Sequence, residues 1–224
     1  MRKAAAAKHF REMGLSGSLT FYLPQRGRHF PRAVWTSHRE MARHALKSGM
    51  KRVLILEEDA NFHVGAEDLK RRLDRAVAKL PPNWWGLFLG HLPLQLYPVG
   101  WGVARTRSAA AHAYLANTPL LQWLAEAEPM DPEIPVCAIG ASIDAAFANL
   151  PEMYALVPMI ATQRAFGENR FDPKYDEKGR RRSLLDPQRY RSWALSDGLR
   201  VAELVGLASS WGASRLTETS GCGN

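Results

Sequence analysis

The chain has 224 residues, 46% of them hydrophobic, and a formal net charge of +8. That is enough apolar sequence to bury one sizeable core without help from disulfides or oligomerisation. Cys137 and Cys222 make neither a zinc spacing nor a disulfide framework, which favours a reducing cytoplasm over secretion, and the basic, alanine-rich N-terminus lacks the apolar segment of a signal peptide.

In chain order, residues 3–13 carry helix-favouring Ala, Lys, Glu and Met, with Gly14 as the stop. Ser37 and Glu40 have capping-box spacing, so a second helix is expected to start there; Met41, Ala42, Ala45 and Leu46 recur at helical spacing and Gly49 ends it. Residues 53–59, Val-Leu-Ile-Leu-Glu-Glu-Asp, then run four β-favouring apolar residues into three carboxylates. A short, bounded, branched run of this kind predicts a strand buried on both faces of a parallel sheet.

Ala66 to Leu80 places Leu69, Leu73, Ala76, Val77 and Leu80 on one helical stripe, broken by Pro81-Pro82-Asn83, and Trp85 to Leu89 reads as a buried strand. Residues 91–108 are expected to form a Pro/Gly-rich crossing. Residues 81–104 contain no Lys, Arg, Asp or Glu, yet Pro81, Pro82, Pro93 and Pro98 argue against a spanning helix. A strand near 112–116, a helix opened by Thr118 and Pro119, a helix over Ala141 to Leu150 and a short strand over Tyr154 to Val157 complete an α/β alternation. Beyond about Gly167 the sequence turns charged and turn-rich, as in a mobile arm, with an amphipathic docking helix expected over 192–208. The division is thus a domain over 1–166 and a basic extension over 167–224.

Charge is unevenly spread: +10 over residues 1–52, −5 over 53–169, +4 over 170–191 and −1 thereafter. The basic flanks suit a nucleotide diphosphate, an anionic lipid-linked acceptor or the inner leaflet of a membrane. A pI of 9.8 raises nucleic acid as a partner, but no recognised nucleic-acid module is present and none is expected to bind.

The acid triplet carries the chemistry. If extended geometry persisted through it, Glu57 and Asp59 would fall to one side and Glu58 to the other. Two charges about 5 Å apart at an effective dielectric of about 20 repel by ~3 kcal/mol, which a divalent cation with oxygen ligands, Mn²⁺ or Mg²⁺, would offset. The plain alternative is a solvated loop whose acids profit only from the start of the next helix.

Trp35-Thr36-Ser37-His38, Gly49 and Leu54-Ile55-Leu56-Glu57-Glu58-Asp59 together resemble glycosyltransferase family 25, which includes bacterial lipopolysaccharide and collagen galactosyltransferases. Weaker similarities follow at Pro82-Asn83-Trp84-Trp85-Gly86-Leu87-Phe88-Leu89-Gly90, His112-Ala113-Tyr114, Ser142-Ile143-Asp144 and Pro158-Met159-Ile160-Ala161-Thr162-Gln163, so the resemblance spans roughly residues 1–165. It departs from the family at Glu58 and Gly86, and no counterpart of the family's opening strand is expected between Met1 and the first helix, so that either the start lies upstream, another segment substitutes or the donor site is impaired.

The resemblance implies a GT-A-like, Rossmann-like mixed sheet flanked by helices. It also implies transfer of a hexose, galactose in the first instance, from a UDP-sugar to a hydroxyl of a glycan or glycolipid acceptor, as in surface-glycan synthesis. Glu57 and Asp59 would be metal ligands, and Asp144 the base that deprotonates the acceptor, with His112 as second candidate for base or ligand. Trp35, Ser37, His38, Gly90, Tyr114 and Gln163 would contact donor or acceptor. Each has a structural alternative: Trp35 and Tyr114 as core, His112 at a strand edge, Asp144 as a solvated helix acid. A degenerate, non-catalytic binding protein of the same fold and a metal phosphohydrolase are the competing functions.

Overall fold

The computed structural model describes residues 2–22, 30–109, 111–127 and 143–163. The expected extension over 167–224, its helix over 192–208 and the last residues of the 1–166 domain lie outside them.

The helices are α1 (Arg2–Glu12), α2 (Phe30–Lys47), α3 (Ala66–Val77), α4 (Thr118–Glu126) and α5 (Ile143–Ala148); the strands are β1 (Arg52–Leu56), β2 (Ala60–Phe62), β3 (Gly86–Phe88), β4 (Leu92–Gly100), β5 (Val103–Ala109), β6 (Ala113–Asn117), β7 (Met153–Leu156) and β8 (Ala161–Gln163). Six strands form one mixed sheet in the order β1-β6-β3-β7-β5-β4, and β2 pairs with β8 in a small second sheet. In the large sheet β3 and β7 form the parallel pair, while β1·β6, β3·β6, β5·β7 and β4·β5 are antiparallel.

Side-chain alternation along the strands divides the interior into two layers. Leu87, Leu89, Ala113, Val103 and Leu156 face Phe10 of α1 and Leu69 and Ala76 of α3. Ile55, Phe88, Tyr114, Met153 and Ala155 face Trp35 and Ala42 of α2, Leu120, Leu121 and Leu124 of α4, and Phe147 of α5. This is a mixed α/β fold with helices on both faces of the sheet.

Three expectations need correction. The 53–56 strand is not interior and parallel: β1 sits at the sheet's edge, antiparallel to β6, and its side chains are mostly half-buried. An apolar run encodes burial on the faces but says nothing about the strand's neighbours. Second, α2 already runs from Phe30, so the Ser37 box lies inside the helix and not at its start. Ser37 Oγ instead donates to the Ala33 carbonyl at 2.8 Å within the helix. Third, the 91–108 stretch is no crossing but the β4–β5 hairpin, turned by Trp101-Gly102, with Gly102 at a φ of 78° that glycine adopts without strain.

Candidate functional site

β1, β3, β4 and β7 run one way and β5 and β6 the other, so Glu57, Gly90 and His112 gather at one end of the sheet. The strand geometry of β1 ends at Leu56. Glu57 still donates its N–H to the His112 carbonyl at 2.8 Å, but its own carbonyl accepts from Ala60 N–H at 3.1 Å, so Glu57-Glu58-Asp59-Ala60 is a turn. Alternation therefore does not carry through the triplet. Glu58 is exposed, and the other two carboxylates are linked through Gln163, which donates to Asp59 Oδ2 at 3.5 Å and also hydrogen-bonds Glu57. The β2–β8 pairing, with Ala60 opposite Gln163, brings that amide to the turn.

Glu57 continues the alternation of Val53 and Ile55, so its side chain leaves on the α2–α4–α5 side of the sheet. There it meets three groups from three further elements. His38 of α2 is 2% exposed, and its Nε2 lies 3.7 Å from Glu57 Oε1. Tyr114 of β6 is fully buried; its hydroxyl is 2.6 Å from His38 Nδ1 and its ring stacks on the imidazole at 5.7 Å between centroids. Asp144, in the first turn of α5, accepts the Ala111 N–H on Oδ1 at 2.6 Å.

The electrostatics follow from burial. The Glu57 carboxyl is pushed up to about 8 by burial first, then by Asp144 and Glu58, with the Gln163 hydrogen bond pulling the other way, although 27% of the side chain still reaches solvent. Burial lowers His38 to about 4 against the opposing pull of Asp144, so the imidazole is neutral at pH 7 and lends Glu57 no positive charge. Burial, Glu57 and Asp144 hold the Tyr114 phenol well above its ordinary range. A phenol that keeps its proton can donate to Nδ1, which leaves Nε2–H facing Glu57; this tautomer is inferred from the network. Among the described residues no lysine or arginine pairs with Glu57 or Asp144.

The remaining predicted residues are placed differently. Trp35 is buried beside Trp123 and donates Nε1–H to the Ala127 carbonyl at 3.3 Å, so its ring serves the core. Ser37 is turned into its own helix. Gly90 is a close-packing position: an added Cβ would lie 2.3 Å from both the Ala161 carbonyl oxygen and His112 Nε2. His112 is itself buried, held at about 4 by burial first and with His91 nearby, and its ring is packed at Gly90. Composition could not reveal the His38–Tyr114 stack, because the two residues, 76 positions apart, come together only through the packing of α2 on β6.

The donor chemistry fits a hard divalent cation in part. Glu57 and Asp59 offer carboxylate oxygens on one turn, with Asp144 of α5 acting electrostatically on Glu57, and the upward push on Glu57 is what an added positive charge would relieve. No group of three or more His, Cys, Asp or Glu side chains among the described residues forms a ready cage. A cation here would complete its shell with water and substrate oxygens, as Mg²⁺ commonly does.

No protein-family model matches the chain, and no curated protein matches it. Among solved structures it is similar to the crystal structure of A197 from STIV, at 12% identity over 72% of this chain and 80% of that one, with a TM-score of 0.42.

Proposed function

We propose that the protein is a metal-dependent glycosyltransferase that moves a hexose, galactose in the first instance, from a UDP-sugar to an acceptor hydroxyl of a glycan or glycolipid. The observation that carries this reading is the carboxylate cluster at the end of β1. Glu57 and Asp144 face each other beside a neutral His38, and Asp59 is tied to Glu57 through Gln163. Burying Glu57 beside Asp144, with no lysine or arginine paired to either among the described residues, is costly unless something cationic is brought in.

Glu57 and Asp59 are the residues that would hold Mn²⁺ or Mg²⁺, and the ion would supply charge stabilisation to a leaving diphosphate. Asp144 would act as base toward the acceptor hydroxyl: its Oδ1 is occupied by the Ala111 N–H, which orients the carboxylate and leaves Oδ2 for a proton. His38 and Tyr114 are positioning residues behind Glu57.

A binding protein of the same fold without turnover is the second reading, favoured by the lack of three converging ligand side chains among the described residues. Titrating UDP and UDP-galactose with and without Mn²⁺, followed by a donor-hydrolysis assay, tests both. Metal-dependent binding with hydrolysis supports the enzyme, and binding without hydrolysis supports the second reading. Absence of metal-dependent binding sinks the enzyme reading.

A further inference from the structure

The β4–β5 hairpin exposes Leu94, Tyr97, Val99 and Trp101, the last at 94% of its surface. These residues lie within the 81–104 run that carries no charge of either sign. A nearly naked indole at the hairpin tip is expensive to keep in water, since Trp and Tyr bury large apolar areas when they are covered.

Three observations narrow what covers it. First, a cation stands at the tip: Lys79, just past α3, donates Nζ–H to the Trp101 carbonyl, and its chain lies 3.7 Å from where a Cβ on Gly100 would be. Second, β4 is a poor template for another strand. Pro93 and Pro98 lack N–H groups, and the register breaks at both places where Leu94 and Val99 stand. Edge pairing with a second copy is thereby disfavoured. Third, strand direction puts the end of β4 and the end of β1 toward the same end of the sheet, so Trp101 and the Glu57 turn lie on that side of it.

We propose that the Trp101 tip, with Tyr97 and Lys79, docks the protein on an anionic lipid surface. Trp and Tyr are side chains suited to the headgroup region, and a lysine beside them adds attraction to anionic lipid. Docked this way, the sheet end that holds Glu57 lies near the bilayer. Resting on the glycosyltransferase reading, the acceptor is then a lipid-linked hydroxyl presented at that surface; the docking itself stands independently of the chemistry.

The test is co-sedimentation of the full chain with vesicles of phosphatidylcholine alone and of phosphatidylcholine mixed with phosphatidylglycerol. Wild type is expected to partition onto the mixed vesicles. Trp101→Ser, at a solvent-exposed position, weakens that partition by about tenfold through lost apolar contact. Lys79→Gln weakens it by about fivefold on the mixed vesicles and leaves the neutral ones unaffected. Partition that both variants retain overturns the proposal. So does a dimer of the free wild type in gel filtration that Trp101→Ser dissolves, because the occupant is then a second copy. UDP titration of wild type reads the other half: vesicle docking without donor binding upholds the dock and overturns the lipid-linked acceptor.

Discussion

The two faces of the sheet are built by the same alternation and differ in what they bury. Toward α1 and α3 the interior is apolar, from Phe10 and Leu69 to Leu87 and Leu156. Toward α2, α4 and α5 it is aromatic, with Tyr114, Phe88 and Phe147 in contact, and at its rim the packing takes in His38, Glu57 and Asp144. A buried polar network costs stability unless its members satisfy one another. The face toward α1 and α3 keeps its polar contacts few, such as the Phe62 N–H on His9, while the other carries the network around Glu57, and that difference separates scaffold from site.

The largest expected effect lies on the polar face. Glu57→Gln or Asp59→Asn is expected to abolish metal-dependent donor binding, read by calorimetric titration. Thermal stability near neutral pH should stay level or rise for Glu57→Gln, since it removes a buried acid that folding forces to take up a proton. Unfolding by that change would make the acid structural and erase the division between faces. On the apolar face, Leu87→Ala at a fully buried position should cost about 2–5 kcal/mol in chemical denaturation, with donor affinity of the folded fraction unchanged. A smaller effect is expected where the faces meet the network: Tyr114→Phe leaves His38 Nδ1 without its hydroxyl partner, a loss of about 1–3 kcal/mol. The His38 ring nitrogens should shift in NMR as the tautomer is freed.

Much of this architecture is legible in the sequence, and the misses share a cause. Helical stripes, the stop at Gly49 and the strands around residues 86–88, 113–117 and 153–156 follow from periodicity and breakers, which are local signals. Strand direction and neighbour order are not local. Val53 to Leu56 would read the same in the middle of a parallel sheet as at an antiparallel edge. The Ser37–Glu40 box is a true local pattern that a longer helix overrode. At the site, the acid triplet drew attention to Glu57 and Asp59, and residue chemistry suggested Asp144. That His38 and Tyr114 stack behind Glu57, while His112 turns toward Gly90, depends on packing between distant elements. The uncharged 81–104 run was visible as an anomaly; only the hairpin shows that it ends in an exposed indole beside a lysine.

The finest test of the contrast between apolar interior and ionisable network is the pH dependence of stability. Glu57 is raised from 4.5 to about 8, so between those values the folded chain holds a proton that the unfolded chain has released, and stability falls as pH rises. His38, His91 and His112 are lowered from 6.5 to about 4, so below pH 6.5 the unfolded chain takes up protons that the folded chain refuses, and stability falls as pH drops. From 4.5 to 6.5 three histidines oppose one glutamate and the net slope is upward with pH; above 6.5 the glutamate acts alone. The thermal midpoint should therefore peak near pH 6.5 and decline toward pH 8 in metal-free buffer. Glu57→Gln should flatten the alkaline limb and leave the acid limb in place, and a bound cation, by favouring the carboxylate, should flatten it as well. An alkaline decline that persists in Glu57→Gln would assign it to another group and detach Glu57 from the network.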